Sequence, residues 1–121
     1  MARIRNYSVG ATEPNDLFFA PIEAVEKLMA KDGTKINDYD LIEANEAFAV
    51  QAIADGRALG WDWDRVNVHG GAVALGHPIG ASGARILVTL LGAMQDRNAN
   101  LGLATLCLGG GNAVAVSVER V

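Results

Sequence analysis

Apolar and polar residues alternate from Ala2 to Val9 closely enough to predict a first strand. Gly10 to Asp16, with its Gly, Pro, Asn and Asp, reads as a loop. Pro21 suits the first turn of a helix, and Ile22, Val25, Leu28 and Met29 form a helical stripe that runs to Lys31. Tyr39 to Ala44 predicts a second strand, Ala47 to Leu59 a second helix, and Val66 to Val68 a short third strand. Ala81 to Arg97 is a third helix, followed by strands over Leu101 to Leu108 and Ala113 to Val118 with three glycines between them. The order is β-α-β-α-β-α-β-β. Strands alternating with helices imply an α/β fold with a mixed five-stranded sheet, parallel crossovers and helices on both faces. The last two strands, separated only by a tight glycine turn, should form an antiparallel hairpin.

The third helix stands apart. Ile86, Leu87, Val88, Leu90, Leu91, Ala93 and Met94 cover nearly its whole circumference. A helix apolar all round is normally buried all round, whereas a layered domain of 121 residues usually leaves one helix face wet. Leaving three or four large apolar side chains in water would forgo roughly 1.5–3 kcal/mol each. The pattern therefore predicts a surface outside this chain that covers residues 81–97.

Composition narrows the class. Half the residues are hydrophobic, enough for one packed core and too many for disorder. The net charge of −4, with no clustered basic residues, argues against nucleic acid or an anionic membrane as the main partner. A single cysteine cannot form an internal disulfide, which points to a reducing compartment. No basic segment leads into an apolar run at the start, and no apolar stretch is long enough to span a bilayer, so a soluble cytoplasmic protein is expected.

Three polar constellations fall at strand-to-loop boundaries. In Glu43-Ala44-Asn45-Glu46-Ala47-Phe48, Asn45 is either the N-cap of the second helix or a residue that fixes a water or a carbonyl. The stretch from Asn67 to Arg85 is rich in glycine and contains Gly76-His77-Pro78-Ile79-Gly80-Ala81-Ser82-Gly83. That much glycine lets backbone approach a ligand, and His77 precedes a helix N-terminus whose N–H groups favour negative charge. A lone histidine in such a loop is also commonly structural, and His69 reads as a loop or supporting residue. Cys107 opens Cys-Leu-Gly-Gly-Gly-Asn. A cysteine ending an apolar strand is often an inert small hydrophobe. Here the following glycines could offer N–H groups to an oxyanion, and a thiol whose pKa is lowered by its surroundings serves as acid and base near neutrality.

Taken in this order, Asn-Glu-Ala-Phe, then Gly-His-Pro-Ile-Gly-Ala-Ser-Gly-Ala-Arg, then Gly-Leu-Ala-Thr-Leu-Cys-Leu-Gly-Gly-Gly resemble the three C-terminal motifs of thiolases (acetyl-CoA acetyltransferases and 3-ketoacyl-CoA thiolases). The resemblance runs from Ala2 to the end. It implies one half of a two-half enzyme, with helices packed between two sheets, catalysing reversible Claisen condensation of acyl-CoA thioesters or thiolysis by CoA. CoA is then a substrate, and neither a cofactor nor a metal is implied. On this sequence His77 would activate a nucleophilic cysteine and donate to a thioester oxygen, and Asn45 would hold a water completing that oxyanion site. Cys107 would be the acid/base at Cα, and Gly109 N–H would serve a second oxyanion site. Ala47 and Phe48 would line the pantetheine channel. Asn at position 45 and Cys at 107 also separate the chain from the sterol-carrier type of thiolase and from ketoacyl synthases, which resemble it but carry His at one or the other position.

In the family, the acyl-carrying cysteine and the loop region that grips most of CoA lie in the N-terminal half. This chain has no second cysteine. The resemblance thus implies that residues 1–121 are a C-terminal domain beginning near a domain boundary, inactive until a nucleophile-bearing half joins it. Two other readings compete. Cys107 and His77 could form a minimal nucleophile pair acting as a weak thioester hydrolase. Alternatively, the chain could be a non-enzymatic scaffold that associates with itself or another half-fold through helix 81–97.

Overall fold

The computed structural model describes residues 2–121. Four strands, β1 (Ala2–Ala11), β2 (Leu41–Ala44), β3 (Leu101–Leu108) and β4 (Asn112–Arg120), form one mixed sheet in the order β1-β4-β3-β2. β4 pairs antiparallel with both β1 and β3, and β3 pairs parallel with β2. The helices are α1 (Ala20–Asp32), α2 (Ala49–Leu59), the single turn α3 (Ala72–Leu75) and α4 (Ser82–Asp96). Pro21 sits in the first turn of α1, and Gly33 and Gly60 end α1 and α2 in the left-handed conformation, which a side chain would disfavour. The predicted hairpin is present: Leu101 pairs with Glu119 at one end and Leu108 with Asn112 at the other.

The expected fifth strand at Val66–Val68 does not form. Only Val66 bridges to Ile42, because the 3-10 turn Trp63–Arg65 precedes it and Asn67 turns to φ 48° directly after it. The Asn67 side chain then takes over a strand's role. Its Oδ1 accepts from Ala44 N and its Nδ2 donates to Ala44 O, each at 2.9 Å. A side-chain amide carries the same donor and acceptor as a peptide unit, so the edge of β2 is satisfied without another strand.

Alternation on the strands sorts the core into two faces. Ile42, Ala44 and Leu103 meet Val25 and Leu28 of α1 and Leu59 of α2. Leu41, Ala104 and Val118 meet Ile86, Leu90 and Met94 of α4. A Cβ on Gly102 would lie 2.6 Å from Met94 Sδ, so the glycine is what lets α4 lie close to β3.

The apolar surround of α4 is not closed within this chain. Ile86, Leu90, Ala93 and Met94 are buried against the sheet, while Val88 is 69% and Leu91 38% exposed on the outer side. One sheet covers only one side of a helix, and α4 packs mainly against β2 and β3. Among the described residues, no helix is long and apolar enough to cross a membrane.

Candidate functional site

The site is built along the C-terminal edge of β2 and β3 and the first turns of α4. Asn45 follows the last residue of β2, and its backbone N–H donates to Thr105 O at 2.9 Å, which fixes it beside β3 two residues before Cys107. Asn45 is buried and is not an N-cap. α2 begins only at Ala49, its N-cap is Phe48, and no side chain caps it. The Asn45 carboxamide turns instead to α4, where its Oδ1 accepts from Arg85 Nη2 at 3.1 Å. Its Nδ2 is buried with no hydrogen-bond partner among the described residues.

Glu43 lies two residues back on the same face of β2, fully buried, 3.8 Å from Arg85 Nη1. That distance makes an ion pair but not a hydrogen bond, and both Glu43 oxygens remain without donors. Burial pushes the Glu43 carboxyl up to about 7; Arg85 opposes the rise and nearby Glu46 adds to it. Glu46 has a different task. Its carboxylate accepts from Val73 N at 2.8 Å and Asn67 Nδ2 at 3.1 Å, which anchors the start of α3 to the end of β2. Gly71 packs against that carboxylate so closely that any Cβ would collide with it.

His77 is exposed in the loop between α3 and α4. Its Nδ1 lies 2.6 Å from the Oγ of buried Ser82, and Ser82 Oγ donates to Pro78 O at 3.0 Å. A hydroxyl has one proton. With that proton on Pro78, Ser82 accepts from Nδ1–H, which leaves Nε2 as the free lone pair of the neutral ring. α4 thus holds two of the expected residues: His77 through Ser82, and Asn45 through Arg85 one turn later.

Cys107 is half-buried near the end of β3. By alternation from Leu103 it falls on the α1/α2 face, whereas Asn45 falls on the α4 face, and no hydrogen bond joins Cys107 to His77 or Asn45 among the described residues. Within this chain the surroundings of the thiol do not lower its pKa. Burial pushes it up, its own backbone N–H opposes this, and the Asp55 carboxylate adds to the rise. Asp55 on α2 is fully buried and accepts from Gln51 Nε2. Desolvation raises it to about 6.

The three glycines after Leu108 turn the chain tightly. Gly110 and Gly111 have φ of 72° and 86°, and Thr12 N donates to Gly111 O at 2.7 Å. Gly109 is exposed, and a Cβ there would meet nothing within 4 Å, so packing inside this chain does not demand a glycine. Ala47 is half-buried, and Phe48 is 58% exposed, edge-on to Phe18 at 5.2 Å. His69 is exposed on its loop, with Nε2 3.4 Å from Asp96, a surface pair of small energetic weight. A cavity of about 400 Å³ lies at the other end of α4 between Leu91, Met94, Asn98 and Arg120, and none of the expected site residues line it. Among the described residues, no group of three or more His, Cys, Asp or Glu is placed to hold a metal ion.

Arg85, Glu43, Ser82 and Asp55 were not assigned roles from sequence. Two of them left a trace: Glu43 is a charge inside a buried apolar strand, and Arg85 a charge within an otherwise apolar helix.

The family model described as "Thiolase, C-terminal domain" matches residues 1–120, and the chain belongs to the thiolase family. The acetyl-CoA acetyltransferase of Escherichia coli (strain K12) is 56% identical over 121 residues, covering 100% of this chain and 31% of the relative. That of Paracoccus denitrificans is 56% identical over 120 residues, covering 99% and 31%. The crystal structure of the Bacillus anthracis acetyl-CoA acetyltransferase superposes with a TM-score of 0.98 at 43% identity, over 100% of this chain and 31% of that one. The Acat5 thiolase from Ascaris suum, solved in complex with coenzyme A, gives 0.94 at 44% identity with the same coverage. The chain therefore spans about a third of the length of the relatives it matches.

Proposed function

We infer that this chain is the C-terminal catalytic domain of a thiolase that transfers acetyl groups between CoA thioesters. It supplies the acid/base and one oxyanion site to a second half that carries the nucleophilic cysteine. The observation that carries this reading most is that the first turns of α4 hold both residues, Asn45 with its buried Nδ2 unpartnered among the described residues and His77 with its Nε2 left free by Ser82. Asn45 Nδ2 can donate to a water, and His77 Nε2, a lone pair until it takes the proton of the other half's cysteine, then becomes an N–H donor to a thioester oxygen.

In the condensing direction, His77 Nε2 takes the proton of the other half's cysteine as its sulfur attacks an acetyl-CoA carbonyl. The bond from that carbonyl to the CoA sulfur breaks, and Cys107 protonates the departing sulfur. A thiol held up by burial and by Asp55 suits that donation. The resulting Cys107 thiolate then removes a Cα proton from a second acetyl-CoA. The enolate oxygen is stabilised by His77 and by a water on Asn45. The enolate carbon bonds to the acyl-enzyme carbonyl, whose oxygen is met by Gly109 N–H and a donor of the other half, and the enzyme thiolate leaves and takes its proton back from His77. Ala47 and exposed Phe48 form part of the wall along which the pantetheine lies. The outer side of α4, with Val88 and Leu91, is the surface the second half covers.

Neither competing reading gains a specific observation. The Cys107 thiol is pushed up and has no hydrogen bond from His77, so nothing here makes it a nucleophile. Exchange chemistry tests the assignment of the base. The chain, fused to the N-terminal segment of the Escherichia coli relative, should wash deuterium from D2O into the acetyl methyl of acetyl-CoA. Cys107→Ser should slow that exchange on the order of 10²-fold or more. Exchange at the unaltered rate in the Ser variant would remove Cys107 from this role.

A further inference from the structure

We propose that Arg85, held by Glu43, is a positioning residue that sets the orientation of the Asn45 carboxamide, and with it the donor offered to the thioester oxygen. The proposal rests on the reading of Asn45 given above. A guanidinium has five N–H donors and no acceptor, so the carboxamide atom that faces it must be the oxygen. Arg85 Nη2 donates to Asn45 Oδ1 at 3.1 Å, and this one contact turns the Nδ2 of the same planar group away from α4. Without Arg85, the two ends of the amide would be nearly equivalent in shape, and either could face the ligand. An oxygen there would take one of the bound water's two protons instead of donating to it, leaving the water a poorer donor to the oxyanion.

Arg85 cannot choose another partner freely. Its side chain lies under the end of β2, and its Nε and Nη1 are buried without hydrogen bonds. Glu43, at 3.8 Å from Nη1, is the one carboxylate it pairs with among the described residues. Glu43 and Asn45 are two residues apart on a strand and share its α4 face, so one guanidinium bridges both. The same helix carries Ser82, which orients His77 through Nδ1. The first turns of α4 therefore orient both side chains of one oxyanion site, Asn45 through Arg85 and His77 through Ser82.

The test is a double-mutant cycle in the fused enzyme described above. Arg85→Met is expected to lower kcat about 10–100-fold with KM within about two-fold, the signature of an interaction made in the transition state. Asn45→Ala should lower kcat at least as much. Adding Arg85→Met to Asn45→Ala should cost less than about two-fold more, because no amide is left to orient. Should Arg85→Met fail to fold, Arg85→Lys decides: it keeps the buried cation, and its kcat should still fall, again with no further loss on top of Asn45→Ala. A full multiplicative loss in the double variant would overturn the proposal, since Arg85 would then act apart from Asn45. So would unchanged kcat in both Arg85 variants while Asn45→Ala is impaired. If Asn45→Ala itself is as active as the unaltered enzyme, the reading of Asn45 fails first and the proposal with it.

Discussion

Glu43 and Asp55 are carboxylates buried on opposite faces of the sheet, and the two are treated differently. Glu43, on the α4 face, has a cation 3.8 Å away and no hydrogen bond. Asp55, on the α1/α2 face, has a neutral hydrogen-bond donor in Gln51 and no cation within ion-pair distance among the described residues. Both are raised by desolvation, to about 7 and about 6. A buried charge with a counter-charge can orient neighbouring dipoles, as Arg85 does with Asn45. A buried charge without one acts mainly through its field, as Asp55 does on Cys107. The first face is built for geometry and the second for proton affinity.

Removing the cation should break the comparison most strongly. Arg85→Met leaves Glu43 buried and unpaired and should destabilise the chain by about 3–5 kcal/mol at pH 8 in urea unfolding. At pH 5, where Glu43 is protonated, the loss should be smaller. A loss independent of pH would mean that Arg85 acts by packing alone.

Asp55→Asn should do the opposite. Asp55 is raised in the folded chain, from 3.8 to about 6, so the fold binds its proton more tightly than the unfolded chain does. Its contribution to stability is therefore lost as pH rises between those values and stays lost above them. The Asp55→Asn chain should gain about 1–3 kcal/mol at pH 8 and nothing below about pH 4, read by urea unfolding at the two pH values. The same variant should speed iodoacetamide alkylation of Cys107 near neutral pH, because one cause of its raised thiol is gone. Slower alkylation would show that the field of Asp55 does not reach the sulfur.

Two smaller effects sharpen the picture. Gly111→Ala forces a left-handed residue into the Thr12 carbonyl and should lower stability by about 1–3 kcal/mol, read as a lower thermal midpoint. Ser82→Ala should remove about 1 kcal/mol and release His77 Nδ1. In the fused enzyme it should reduce kcat more than it changes KM.

Much of this was legible in the sequence, for physical reasons that differ by region. The hairpin around the triple glycine, the stripe of α1 and the strand-end location of Asn45 and Cys107 depend on local periodicity and turn chemistry, which a single chain displays. The third strand was misread because Val66–Val68 is apolar enough, but Asn67 satisfies β2 through its side chain, a substitution no periodicity reveals. The reading of Asn45 as a cap failed because its competing partner, Arg85, is 40 residues away. The thiol's direction depends first on its burial and then on Asp55, which is distant in sequence, and only the fold sets either. The helix apolar on all sides did foretell the exposed Val88 and Leu91, since that pattern is local.

The most direct test of the account is thiolysis of acetoacetyl-CoA by three samples: the chain alone, its fusion to the N-terminal segment of the Escherichia coli relative, and the Cys107→Ser fusion. The account predicts no activity from the chain alone, full activity from the fusion, and a loss on the order of 10²-fold or more in the Ser variant. Thiolysis by the chain alone, or a folded fusion indifferent to Cys107, would contradict it.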